Sequence, residues 1–221
     1  SQEAPQEVSG TVIGADGLTV VSLNRADPST MLRQLYGDQE GFDISSEIKD
    51  VKILMEDNSE VDAEVVLRDK DLDLAFIRPL EKPEAEFAHV SLDIAPEVKI
   101  FDPVIVLNRL GTVARRTYAV SLDRIDAIVE KPRKFYLPSS AQNRSELGSP
   151  VFTAGGEFIG IGVIRAIQGE QSFFGGGENF TIIIVPASDI KESAIQVPPF
   201  GQKAPDESAE EAAAQEAPAE S

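Results

Sequence analysis

Groups able to act as nucleophile, base or metal ligand are scarce in this chain. It has one histidine, His89, and no cysteine, which removes clustered-imidazole metal sites, thiolate catalysis and cysteine-held zinc or iron–sulfur centres. Ser139, Ser140, Ser145 and Ser149 lie within one short stretch, and a serine hydroxyl attacks a carbonyl only when a neighbouring base takes its proton. His89 is the sole imidazole that could serve. Hydroxyls in such a stretch ordinarily cap turns or face water, and His89, between Phe87 and Val90, reads as a surface or half-buried ring. Asp69, Asp71 and Asp73 alternate, and hard cations favour clustered carboxylates. The run lacks the turn glycine and following glutamate of a calcium-binding loop, so no metal site is expected. Gly175-Gly176-Gly177 lacks the frame of a phosphate loop and precedes a strand, not a helix. No cofactor is expected.

The elements that would position these residues read as strands. Gly10 to Ile13 and Leu18 to Val21 flank Ala15-Asp16-Gly17, a hairpin signal because Asp-Gly accommodates positive φ. A second hairpin places Asp57-Asn58-Ser59 between Val51–Met55 and Val61–Val66. Further short apolar runs cover Leu72–Ile77, Val104–Leu107, Thr117–Leu122, Ile125–Val129, Phe158–Ile164 and Phe180–Val185. Asp27-Pro28-Ser29 offers a helix cap ahead of Met31, Leu32 and Leu35, and a second short helix is expected over Ala187–Ser193. Many short strands separated by turns indicate a sandwich or barrels.

Composition sets the outer bounds. The 221 residues are 42% hydrophobic, enough for a substantial core, and the net charge of -18 makes general nucleic-acid binding unfavourable. No stretch approaches the apolar length a membrane-crossing helix needs. Residues 205–221 carry six carboxylates and no cation. Their Ala/Glu/Pro/Ser composition cannot bury enough apolar surface to order the segment, so 198–221 is expected to be an acidic disordered tail. Residues 109–134 stand out with a local charge of +4, a patch suited to the tail or another anionic partner. Phe173-Phe174 offers an aromatic contact surface. The polar start, Ser1 to Glu7, suits a mature chain whose signal peptide has been removed.

In order along the chain, several segments resemble the HtrA (DegP-like) branch of the trypsin-like serine proteases. Gly10-Thr11-Val12-Ile13 followed by Asp16-Gly17-Leu18-Thr19-Val20-Val21-Ser22-Leu23-Asn24 is similar to the family's opening. Asp73-Leu74-Ala75 is similar to its Asp-Leu-Ala motif, and Asp102 to Leu107 to its Gly-Asp-x-Val-x-Ala-Ile strand. Ser145-Glu146-Leu147-Gly148-Ser149-Pro150-Val151 resembles the Gly-Asn-Ser-Gly-Gly-Pro-Leu nucleophile loop, with Gly156 to Ile161 after it and Phe180 to Pro186 as the closing strand. The likeness spans about residues 9–195. It implies an all-β fold of two antiparallel β-barrels with one or two short helices, the first over 8–98 and the second over 99–197, behind a flexible 1–7. No segment of PDZ size is expected after the second barrel.

The resemblance also implies a degenerate triad. Asn24 occupies the general-base position, Asp73 retains the orienting carboxylate, and Leu147 occupies the nucleophile position. Ser145 replaces the glycine of the oxyanion hole. Asn carries no titratable nitrogen and Leu no nucleophile. Losing the base or the nucleophile of a triad lowers the rate by about 10⁶. Leu147 is expected to project toward the place of a substrate carbonyl. The expected function is a catalytically inactive protease homologue that binds or scaffolds a protein or peptide. Its groove would be lined by Ala141, Ser145, Glu146, Leu147, Gly162, Val163 and Ile164. The alternatives are a serine endopeptidase with a rebuilt site and a structural envelope or assembly subunit. The absence of disulfides fits the bacterial HtrA-like branch better than animal secreted proteases, and with the signal peptide taken as removed the expected location is extracytoplasmic, periplasmic or secreted.

Overall fold

Period-two alternation of apolar side chains sets the strands, and the turn chemistry between them sets their order. The computed structural model describes residues 6–29, 48–94, 96–140, 147–167 and 179–202. β1 (Gly10–Val12) and β2 (Thr19–Ser22) pair with Val12 opposite Thr19. Their loop turns at Gly17, whose φ of 84° is the left-handed geometry that Asp-Gly accommodates. β2 runs into a single-turn helix, α1 (Leu23–Ala26). β3 (Lys52–Leu54) and β4 (Glu60–Asp69) form the second hairpin, turning through Asn58 at positive φ. β5 (Leu74–Pro79) is buried along its whole length and lies between β2 and β4. The five strands form one curled sheet in the order β1-β2-β5-β4-β3.

The remaining strands close on themselves. β6 (Pro103–Arg109), β7 (Tyr118–Val129), β8 (Phe135–Pro138), β9 (Pro150–Thr153), β10 (Phe158–Ile167) and β11 (Asn179–Pro186) form a barrel in the order β10-β11-β8-β7-β6-β9. Closure requires a close backbone approach at Gly160, where a Cβ would sit 1.8 Å from the Val185 carbonyl oxygen. A bulge falls beside it in the β9–β10 pairing. Helix α2 (Ala187–Ala194) follows β11 and buries Ala187, Ile190 and Ser193.

The architecture is the expected all-β pair of strand units, with corrections in detail. The runs at Thr117–Leu122 and Ile125–Val129 are one strand, β7, bulged between Ile125 and Ala127. β8 and β9 were not anticipated, because each is only four residues long. The first unit is a curled half-barrel sheet among the described residues, consistent with the expected double barrel. The helix expected at Met31 to Leu35 lies outside the described residues, as do the tail from residue 203, the Phe173-Phe174 pair and the glycine run 175–177.

One apolar cluster crosses between the two units. Val20, Leu72, Leu74 and Phe76 from the first sheet pack with Phe158, Ile161, Val163, Ile183 and Val185 of the barrel and Ile190 of α2. Phe76 is fully buried at its centre. Truncating it leaves a cavity shared by both units. Phe76→Ala is expected to cost about 3–5 kcal/mol in a denaturant titration, with both units losing stability in one transition.

Candidate functional site

The site is built around the Asp73 carboxylate. Asp73 begins the turn into β5 at a φ of 59°, an uncommon left-handed conformation for a residue with a side chain. Its carbonyl accepts the Leu23 amide at 2.9 Å. The carboxylate takes three more donors: the Ser22 hydroxyl at 2.7 Å, the Asn24 amide at 2.6 Å and the Ile164 amide at 3.1 Å. Ser22 also caps α1, accepting the Arg25 amide at 3.4 Å. One side chain therefore fixes the first turn of α1 and joins it to β10 of the barrel.

Burial pushes the Asp73 carboxyl up to about 6, against the pull of the bonds from Ser22, Asn24 and Ile164. Raising a carboxyl pKa on folding means the native state holds the proton more tightly. The stabilising contribution is then complete below about 4 and is lost as pH rises through about 6.

Leu147 enters the site from the other side, and inward. It is 3% exposed and packs with Ile164 and Ile182, so it does not project into an open cleft as its position implied. Its backbone bridges Gly162 in parallel, and the next amide, Gly148, donates to the Gly162 carbonyl at 2.8 Å. Gly148 is obligatory here. Its φ is 78°, and a Cβ would lie 2.1 Å from the Ser9 carbonyl oxygen. Thr11 of β1 donates its hydroxyl to the Gly148 carbonyl at 3.0 Å.

The structure thus places Asn24 on Asp73 directly and links Leu147 to Asp73 through Ile164. Ala141, Ser145 and Glu146 lie outside the described residues. Val163 faces the core and is fully buried, so it offers a groove no side chain. Gly162 and Ile164 sit where β9 has ended, because β9 pairs with β10 only from Phe158 to Ile161. Beyond Gly162, no strand pairs with that side of β10 among the described residues. The Ile164 amide points to that side, and by alternation so do the backbone groups of Ala166.

Other candidate serines are engaged elsewhere. Ser139 and Ser140 donate to Asp126 and Asp123, and Ser149 is fully buried with its hydroxyl toward Asn108. His89 is exposed, its Nδ1 3.0 Å from the Phe87 carbonyl oxygen. Asp69 accepts the Leu72 amide and the Ser193 hydroxyl, so it and Asp73 belong to separate networks. Two contributors were missed from sequence. Ser22 carries a cap signal, a Ser ahead of a short helix, that was visible. Ile164 acts through its amide, which no side-chain pattern reports.

The chain is similar to known proteins in sequence and in fold. A family model described as a trypsin-like peptidase domain matches residues 8–161. The chain belongs to this family. A probable periplasmic serine endoprotease, DegP-like, from Rhizobium meliloti (strain 1021) is 32% identical over 111 residues, covering 49% of this chain and 22% of that protein. The chain therefore spans about a fifth of the length of that curated relative. In fold it is similar to the MamO protease domain of Magnetospirillum magneticum in its apo form, with a TM-score of 0.57 at 14% identity, covering 86% of this chain and 90% of that one.

The proton on Asp73 gives a direct check. Asp73→Asn removes the titration while keeping one carbonyl acceptor. The stability difference between wild type and Asp73→Asn is expected to shrink by about 3 kcal/mol between pH 4 and pH 7.5. Paired urea titrations at each pH would measure it, and a pH-independent difference would show that Asp73 does not titrate as described.

Proposed function

We propose that this trypsin-like domain is a catalytically inactive member of its family that binds extended polypeptide along β10, in an extracytoplasmic compartment. The observation that carries the reading is the pairing at Asp73. The carboxylate is held by the Asn24 backbone at 2.6 Å, and the side chain at that position is a carboxamide, which takes up no proton near neutral pH. At the opposite side stands Leu147, turned into an apolar cluster. No atom there can attack an acyl carbon.

Binding does not need those atoms. An extended peptide can add as a strand to an open sheet edge, with main-chain hydrogen bonds giving affinity. The side of β10 past Ile164, where the Ala166 backbone faces outward with no pairing strand among the described residues, supplies such an edge. The periplasmic description of the DegP-like relative supports the compartment.

A fluorophosphonate probe and a casein turnover assay test the inactive assignment. Neither labelling nor hydrolysis is expected, and Asp73→Ala and Ser149→Ala should leave that result unchanged. Stoichiometric labelling of any serine would establish a rebuilt active site instead. Leu147→Ser is expected to lose about 2–5 kcal/mol of stability from its apolar cluster and to gain no labelling. Ala166→Pro removes an edge amide and should weaken binding of fluorescently labelled unfolded casein by roughly tenfold.

A further inference from the structure

We propose that the outer edge of β7 joins two copies of this chain, antiparallel, about a two-fold axis at Val120. β7 pairs with β6 along its whole first half, from Tyr118 to Arg124. Its pairing with β8 begins only at Ile125. Among the described residues, Tyr118–Asp123 therefore has a strand on one side only. The hydrogen-bond phase identifies which residues face the open side. The Leu110 amide donates to the Thr117 carbonyl, so Thr117, Ala119, Ser121 and Asp123 direct their backbone groups to β6. The Arg124 carbonyl accepts from the Ser139 amide on the opposite side, as the alternation requires. Tyr118, Val120 and Leu122 accordingly turn both N–H and C=O outward.

The same three residues carry exposed apolar side chains on one face. Tyr118 is 60% exposed, Val120 67% and Leu122 77%, and Leu107, opposite Val120 on β6, is 40% exposed. Edge strands that stay single are ordinarily blunted by a charge, a proline or a bulge. From Thr117 to Leu122 there is no charge and no proline, and the bulge of β7 lies further on, where β8 already covers it.

A second copy fits this edge better than an acidic partner does. With Val120 opposite Val120, Tyr118 falls opposite Leu122 in both directions, apolar against apolar. Ala119 falls opposite Ser121 on the other face. Such a contact is isologous and closes at two chains. Three of the cations nearby are already engaged: Arg116 with Glu7 at 2.6 Å, Arg124 with Asp126 at 3.1 Å, and Arg109 with the Met55 carbonyl at 2.9 Å. They offer an acidic segment little unpaired charge, and their own partners temper the meeting of Arg116 with Arg124 across the axis.

Sedimentation of the full chain over a dilution series should show the 23.8 kDa mass doubling with concentration. Val120→Lys should abolish the doubling without shifting the melting temperature measured at dilutions where the wild type is monomeric, because the side chain is exposed. Val113→Lys should leave it intact, since Val113 is fully exposed on the neighbouring turn and off the edge. The chain has no cysteine, so Val120→Cys reports geometry directly. Cα atoms directly opposed in a hydrogen-bonded pair lie about 5.5 Å apart, within disulfide span. Val120→Cys should form a covalent dimer about tenfold faster than Val113→Cys under mild oxidant. A mass that stays monomeric, a dimer that survives Val120→Lys, or equal cross-linking at both positions would overturn the proposal. So would association that disappears as salt is raised, which would point to attraction between the acidic tail and the arginine patch.

Discussion

Everything at this site depends on a carboxylate taken out of water and held by amides from two separate strand units. Asp73 gives up its hydration to sit between α1 and β10. The cost of that desolvation is offset only while Ser22, Asn24 and Ile164 keep their donors aimed at it. If any of them shifts, the group becomes a buried acceptor without a full set of partners. The arrangement therefore fixes the relative placement of α1 and β10 more tightly than the apolar cluster could. Apolar packing is tolerant of sliding, whereas three directed hydrogen bonds to one carboxylate are not.

The same network shows how the scaffold holds together with an asparagine at position 24 and a leucine at position 147. The Asp73 carboxylate is a structural group in its own right, tying α1 to β10. Leu147 goes further and joins the interior with Ile164 and Ile182. An apolar side chain at that position contributes packing where a hydroxyl would need a partner. Chemistry and architecture are separable here because they draw on different atoms of the same loop: the side chain at 147, and the backbone from 147 to 149.

Much of the architecture was legible because its signals are local. Asp16-Gly17 announced the first turn, and the Leu72 to Ile77 run announced a strand. β8 and β9 escaped because four residues carry too little alternation to register against their surroundings. Asp73, Asn24 and Leu147 were found by the order of motifs along the chain. The inward turn of Leu147 was not, since it depends on Ile182, thirty-five positions away. Arg78 is the clearest omission. It interrupts an otherwise apolar strand, yet it is 3% exposed, donates to the Pro198 carbonyl at 2.8 Å and lies 4.7 Å from the Phe200 ring. A lone cation in a buried strand signalled a long-range partner, but sequence alone does not name one.

Arg78 also completes a reciprocal pattern. The N-terminal strand reaches across to the barrel, through Thr11 to Gly148 and Ser9 to Asn108. The segment after α2 reaches back to the first sheet, through Pro198 and Phe200 to Arg78. Each unit is thus buckled by chain that belongs, in sequence order, to the other end of the molecule. Neither can loosen without undoing a strap that its neighbour needs, which couples the unfolding of the two strand units.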